Sequence, residues 1–419
     1  MSRKQPSDCG VMWNRITVIL LPICLCLQAG AVRAQGIDLI VNHAALHPVD
    51  HVNERQLIDA LEKIRADRID EALAELRQLV NANPKFRLAQ LIYGDMLLAR
   101  SRPIHGFGDF PAATYEQLTA FRDEAVARWQ HYMHPPPEGH GHIPSALVKL
   151  SPKQTHAIVV DTSESRLYLF ENDNGVPKLV DDFYATIGKK GANKLAEGDQ
   201  RTPVGVYFVT GFIRPDKLPD LYGDGAFPID YPNIWDQRNG RTGYGIWLHG
   251  TPSNTYSRPP RDSDGCIIVS NRDLDTIAPY MQSGTTPVII ADKVHWLARG
   301  KWRKRQAYYE KFVDQWRKDW ESRDTDLYLS HYSPHYKGLG KDYENWVAYK
   351  KRINNSKQFI KVDISDRSMF LYPGEDGLLV VTFKQDYKSN NVQRHFVKRQ
   401  YWRMQDDGTW RIVYEGSVS

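Results

Sequence analysis

The stretch HGTPSNTYSRPPRDSDGCIIVS, from His249 to Ser270, holds residue types that can perform nucleophilic acyl transfer. A cysteine nucleophile needs a base for its proton, a partner that orients the base, and N–H donors facing the developing oxyanion. His249 ends an apolar run, GIWLHG, which places its imidazole at a sheet edge beside a loop. Cys266 opens a second apolar run, CIIVS, after a sixteen-residue excursion. If the two runs are neighbouring strands, thiol and imidazole meet where the loop closes. Gly265 lets the backbone approach a substrate, leaving the Gly265 and Cys266 amides as oxyanion donors. The Gly250 carbonyl can fix which imidazole nitrogen carries the proton. Ser263, Asp264, Arg258, Arg261 and Trp247 flank the pair and are the candidate substrate contacts. Residue types alone leave a plainer alternative open: free cysteine is among the most buried residues, so Cys266 also fits a small core position.

The compartment bears on that choice. The four cysteines are Cys9, Cys24, Cys26 and Cys266. Arg3, Lys4 and Arg15 precede or open the apolar stretch ITVILLPICLCL, and small residues follow to Ala34, the order of a secretory signal over residues 1–34. The apolar run is short for a membrane span, and an uncleaved anchor is the alternative. Cleavage after Ala34 removes three thiols and leaves Cys266 alone in an oxidising compartment. A solitary cysteine there is either a site of intermolecular pairing or a reactive thiol. Periplasm or cell envelope is the expected location, which makes nucleic acid a poor partner.

With 419 residues, the chain is too long for one ordinary core, so several domains are expected. Residues 35–133 read as helical. RIDEALAELRQLVNANPKFRLAQLIYGDMLLAR carries apolar residues at helical spacing on both sides of Asn83-Pro84, a hairpin that resembles one tetratricopeptide repeat. A single such hairpin cannot bury its own face, which suggests a docking or homodimerisation element. Residues 134–150, rich in Pro, Gly and His, read as a linker. His131, His134, His140 and His142 in and beside it lack a Cys or carboxylate at ligand spacing, so no metal is expected. From 151 to 292, β-rich runs alternate with Gly, Asn and Asp. From 300 to 419, Tyr309, Phe312, Val313, Trp316 and Trp320 give an aromatic helix face, a second helix falls near Tyr343–Ile353, and four long strands follow. The expected fold class is multidomain α+β: a helical hairpin region, a mostly-β domain and a C-terminal α+β unit. From Lys293 onward 25 Lys/Arg stand against 16 Asp/Glu, whereas the preceding residues carry 30 against 34. The basic final third suits an anionic envelope surface or wall polymer.

Residues 155–292 resemble the L,D-transpeptidase catalytic domain, the YkuD type. The resemblance rests on His249-Gly250, on Ser263-Asp264-Gly265-Cys266-Ile267, on RTPVGVYFV at 201–209, and on FPIDYPNIWDQRNGRTGYGIWLHG at 227–250. It implies Cys266 as nucleophile, His249 as base, Gly250 as the orienting group, and Gly265 and Cys266 amides as the oxyanion hole. It further implies a sandwich-like β-rich fold, peptidoglycan stem peptides as substrate, and neither metal nor organic cofactor. The thiolate would attack the L-centre carbonyl of an L-diaminoacid–D-alanine bond and pass the acyl group to an amine, the transpeptidase outcome and the leading expectation; transfer to water, the carboxypeptidase outcome, is the alternative. A wall-binding scaffold without activity is the remaining alternative. The C-terminal unit resembles the NTF2-like family, and the combination resembles cell-shape L,D-carboxypeptidases that trim tetrapeptide stems to tripeptides. Two departures from the family pattern stand out. Asp264 occupies the place of a second histidine, where its charge should raise the Cys266 pKa unless Arg258 or Arg261 offsets it, and Ile268 stands where an Arg or Asn is common.

Overall fold

The computed structural model describes residues 52–109, 114–137 and 141–418, so the secretory signal expected over 1–34 and His140 lie outside the described residues. The chain divides into two compact units, 1–78 and 79–419. The first contains α1 (Val52–Arg65) and most of α2 (Ile69–Ala82), with Lys63 paired to Glu75 at 2.8 Å. Glu54 in the first turn of α1 and Lys63 and Arg65 in its last complement the helix dipole.

In the second unit, α3 (Arg87–Ala99) follows the Asn83-Pro84 turn, and α4 (Tyr115–Met133) follows it. The start of α4 is set by a reciprocal capping box between Thr114 and Gln117. The segment after it departs from the linker expectation. Its second half forms β1 (His142–Pro144) and β2 (Leu147–Lys149), with Ile143, Leu147, Val148 and Leu150 buried. Pro, Gly and His dominate the composition there and mask four apolar residues that have a core to enter.

The catalytic-domain strands are β3 (His156–Asp161), β4 (Arg166–Asp173), β5 (Val176–Tyr184), β6 (Ile187–Gly188), β7 (Gly205–Phe208), β8 (Ala226–Pro228), β9 (Trp247–His249), β10 (Arg261–Ser263), β11 (Ile267–Ile268), β12 (Pro287–Ala291) and β13 (Trp296–Ala298), with helices α5 (Ile234–Arg238) and α6 (Asn271–Ile277). A five-stranded sheet has the order β5-β4-β3-β12-β7, with β3 and β12 parallel. A smaller sheet, β11-β9-β8, carries the site. Between the two sheets lies a core that includes Ile158, Val160, Tyr207, Phe227, Leu248, Ile267 and Ile290. The central strands are therefore apolar on consecutive positions, as strands buried on both faces must be.

The C-terminal unit comprises α7 (Arg299–Ser322), α8 (Thr325–Leu329), the short β14 (Lys337–Gly338) and β15 (Lys341–Asp342), α9 (Tyr343–Asn355), and the long strands β16 (Ile360–Leu371), β17 (Leu378–Ser389), β18 (Gln393–Met404) and β19 (Trp410–Ser417). The long strands form an antiparallel meander whose free edge is closed by β2, giving the order β19-β18-β17-β16-β2. The aromatic face of α7 packs on it, with Tyr309, Val313, Trp316 and Trp320 buried. One core joins this sheet to the catalytic domain: Trp235 stacks on Tyr401 with centroids 5.3 Å apart, and Asn233 Nδ2 donates to Tyr372 Oη at 3.1 Å.

The interior of the C-terminal unit holds a lysine. Lys350 of α9 places its ammonium 4.2 Å from the Trp320 ring, 4.6 Å from Trp346 and 5.0 Å from Tyr328. Burial pushes its pKa down to about 7, against the attraction of buried Glu415. The unfolded chain therefore binds this proton more strongly than the fold does. The resulting destabilisation is complete below about pH 7 and vanishes as pH rises through the ordinary lysine range. Lys350→Met, which leaves Glu415 its Lys398 and Gln400 partners, is expected to raise stability at pH 6 by roughly 2–4 kcal/mol. The gain over wild type should shrink toward zero near pH 10, as read by urea unfolding across that range.

Candidate active site

His249 closes β9, and Cys266 sits immediately before β11. The strands pair in parallel, Leu248 with Ile267 and His249 with Ile268. That register sets Cys266 beside Trp247 and therefore puts thiol and imidazole on one face of the sheet, one diagonal step apart. The imidazole is buried, and its Nδ1 donates to the Gly250 carbonyl at 2.7 Å, so Nε2 keeps the lone pair. Burial holds the His249 pKa down to about 4, helped by Arg258 and opposed by the Gly250 hydrogen bond. The thiol is half-buried and donates to the Gly245 carbonyl at 3.4 Å. Burial pushes it up to about 11; Asp264 adds to the rise, while the Trp247 backbone, Lys194 and Arg258 oppose it. The resting pair is a neutral thiol and a neutral imidazole.

The turn that follows the histidine is braced by Asn271 at the start of α6. Its Oδ1 accepts from the Thr251 amide at 3.0 Å, and its Nδ2 donates to the Thr251 carbonyl at 2.9 Å. The Gly250 carbonyl is thereby held where the imidazole needs it. Tyr222 lies with its ring 4.9 Å from both His249 and Trp247, edge-on to the imidazole. Burial raises the Tyr222 phenol, followed by the charges of Cys266 and Asp264, which places it at the mouth of the same site.

The step into Cys266 is fixed from two sides. Ser263 is buried; its hydroxyl donates to the Cys266 carbonyl at 2.6 Å and accepts from the Gly265 amide at 3.1 Å. Two expectations change accordingly. Ser263 braces the turn from within and is not presented to a substrate, and the Gly265 amide is engaged by Ser263, leaving only the Cys266 amide of the two as a candidate oxyanion donor. Thr202 supplies the other support, donating to the Gly265 carbonyl at 3.0 Å while accepting from the Gly188 amide at 2.9 Å.

Asp264 is exposed and receives Lys189 Nζ at 3.1 Å and Gln200 Nε2 at 3.2 Å. The Lys189 hydrogen bond is the main cause that holds its carboxyl below the usual range. The direct partner is thus Lys189, which the loop-centred reading did not pick out, whereas Arg258 is bound to Asp262 at 2.8 Å and acts on the pair through its charge. Arg261 lies on β10 and is exposed; Trp247 is half-buried against Tyr222. The sequence reading also passed over Lys194, a buried cation held by Asp199 at 2.7 Å, whose charge favours the thiolate. Lys189 and Lys194 come from the connection between β6 and β7, Tyr222 from that between β7 and β8, and Asn271 from the first turn of α6, and residue type alone carries no signal for them. Thr202 was within reach, since it lies in the RTPVG segment already singled out.

Fold and site together define a strand-rich cysteine–histidine catalytic domain fused to an NTF2-like domain. Family models match twice: the L,D-transpeptidase catalytic domain (YkuD) over residues 155–290, and the Cds6 C-terminal NTF2-like domain over residues 309–416. The chain belongs to the L,D-transpeptidase (YkuD) family, in its branch with an NTF2-like C-terminal domain. Among solved structures it is similar to Bd1075 of Bdellovibrio bacteriovorus, at 30% identity and a TM-score of 0.59, over 66% of this chain and 98% of that one. It is also similar to the helical cell shape determining protein Pgp2 of Campylobacter jejuni, at 26% identity and a TM-score of 0.55, over 65% of this chain and 94% of that one. Comparison with curated proteins gave no match.

Proposed function

We propose that this chain is a cysteine L,D-carboxypeptidase acting on peptidoglycan stem peptides in the cell envelope. The observation that carries the reading is the pair on β9 and β11, with His249 Nδ1 tied to the Gly250 carbonyl and Nε2 left as the base. In this scheme Cys266 Sγ attacks the L-centre carbonyl of the L-diaminoacid–D-alanine bond as His249 Nε2 takes the thiol proton. The tetrahedral oxyanion is met by the Cys266 amide. His249 then returns the proton to the departing amine, D-alanine leaves, and a thioester remains. Water, deprotonated by His249, attacks the thioester; the tripeptide acid is released and the thiol regains its proton. Likeness to a cell-shape determining protein over nearly its whole length, NTF2-like domain included, favours water as the acceptor. Transfer to an amine is the second reading, favoured by the match to the L,D-transpeptidase catalytic domain itself. The basic C-terminal third would hold the enzyme to an anionic wall or envelope surface, and a homodimer through the N-terminal helices fits the same scheme.

A purified tetrapeptide muropeptide separates the outcomes. Tripeptide and free D-alanine alone are expected. Dimers, or products carrying an added D-amino acid, would establish transfer instead, and no turnover of any stem would leave the scaffold alternative standing.

A further inference from the structure

The loop between His249 and Cys266 is held from outside the catalytic sheets as well as from within them. The Tyr256 amide donates to the Lys85 carbonyl at 3.0 Å, and the fully buried Phe86 ring sits 4.5 Å from the Tyr256 ring. One residue on, the Ser257 hydroxyl donates to Glu124 Oε1 of α4 at 2.6 Å. The same oxygen accepts from Arg128 Nε at 3.1 Å and Nη2 at 2.9 Å, and both side chains of this pair are buried. The Arg128 guanidinium lies 3.8 Å from the Tyr184 ring centre. Tyr184 and Thr186 in turn donate their hydroxyls to the Arg258 carbonyl, at 3.0 and 2.9 Å. Residues 256, 257 and 258 are thus fixed in succession by the turn before α3, by α4, and by Tyr184 at the end of β5 with Thr186 two residues on.

That attachment is unusual for a loop of this length. A sixteen-residue connection carrying Pro252, Pro259 and Pro260 belongs to the least stable part of a fold unless something ties it down. The tie chosen here is a short, charge-assisted hydrogen bond in a buried setting, which is among the stronger and more directional contacts available. Arg258 is the loop's cation that acts on both members of the catalytic pair. The groups that face them are Arg258, Tyr222 and the Gly250 carbonyl for His249, and Asp264, Lys194, Arg258, Tyr222 and the Gly245 carbonyl for Cys266.

We propose that α4 is a clamp on the catalytic loop, in which Glu124, acting through Ser257, is a positioning residue that holds residues 256–258 and with them the loop that joins His249 to Cys266. The proposal rests on the cysteine chemistry above. It gives α4 and the turn before α3 a role in the reaction: they hold the middle of a loop whose two ends are fastened within the catalytic domain.

The test uses the full chain with Ser257→Ala, Ser257→Thr and Glu124→Gln, assayed on tetrapeptide muropeptide. Ser257→Ala and Glu124→Gln are expected to lower kcat about tenfold while KM moves by less than about twofold, and Ser257→Thr, which keeps the hydroxyl, to restore turnover. Iodoacetamide labelling at Cys266, followed by peptide mass, needs no substrate. It is expected to slow about threefold or more in Ser257→Ala, because a displaced Arg258 no longer favours the thiolate. Slowed labelling without stem cleavage by the wild type would retain the clamp and refute the carboxypeptidase reading. Folded Ser257→Ala with wild-type kcat and wild-type labelling overturns the clamp, and if Glu124→Gln does not fold, Ser257→Ala decides alone.

Discussion

Cys266→Ser and His249→Ala are each expected to lower kcat/KM on a tetrapeptide stem by at least about a thousandfold, and the double variant to lose no more than the worse single one. In the proposed reaction the two residues act as one unit: the thiol is inert until the imidazole takes its proton, so removing either removes the step. The pH profile gives a second and independent check. His249 gains a proton only below about pH 4, and Cys266 loses its proton only above about pH 11. The competent state, neutral base beside neutral thiol, therefore spans the whole interval. A flat kcat/KM between about pH 5 and about pH 10 is expected, with the acid limb near 4 reporting loss of the base. An acid limb near 6.5 would contradict it, since that is where an imidazole free of burial titrates. A pre-formed thiolate–imidazolium pair would share an acid limb near 4, where its thiolate is protonated, but would lose activity well before pH 10 as the imidazolium gives up its proton, so the alkaline side of the profile distinguishes the neutral resting state from an ion pair.

The neutral state follows from where the sequence puts its charges. Asp264 replaces a histidine and opposes a thiolate, yet Lys189 and Gln200 engage it directly, and Lys194 and Arg258 act on the sulfur from other directions. The net field at Cys266 is closer to balanced than Asp264 alone suggests. Burial then becomes the dominant influence and keeps both partners uncharged.

What could be read from the residues was governed by distance along the chain. Cys266, His249 and Gly250 are joined by one strand–loop–strand unit, so spacing and apolar runs sufficed to pair them. The aromatic face of α7 and the four long strands of the last domain were equally legible, because 3.6-residue periodicity and long β-branched, aromatic runs are local signals. Lys189, Tyr222 and Asn271 reach the site through tertiary closure, which local pattern does not encode. The strands within the 134–150 segment are hidden for a related reason. There β1 pairs with β13, and β2 joins a sheet whose other strands lie more than two hundred residues away, so both pairings are tertiary and leave no local signal. Ser263 shows a subtler limit. A serine beside a nucleophile suggests a substrate contact, whereas the tight turn at Gly265 brings its hydroxyl inward between the Gly265 amide and the Cys266 carbonyl.

Gly265 itself yields the second large expected effect. Its φ of +128° lies in the region that side chains rarely adopt, and a Cβ there would stand 2.7 Å from the Arg201 carbonyl oxygen and 3.0 Å from Ile246 Cδ1. The oxygen belongs to backbone that is held against moving aside, because the hydroxyl of the neighbouring Thr202 is bound to both Gly188 and Gly265. Gly265→Ala is therefore expected to cost about 3 kcal/mol of stability, strain and overpacking combined. Its effect on turnover should be larger than that figure implies. Relief of the clash must move either the Arg201–Thr202 segment or the Gly265–Cys266 step, and the second displaces both the sulfur and the Cys266 amide from the reacting carbonyl. A shift of about 1 Å there is enough to lower kcat about a hundredfold. Measuring kcat on the fraction that remains folded separates the two effects. A destabilised variant with wild-type kcat would mean that the Arg201 segment yields and the nucleophile stays in place. A loss of kcat with Ser263 unchanged would trace catalysis to the backbone conformation that only glycine permits before Cys266.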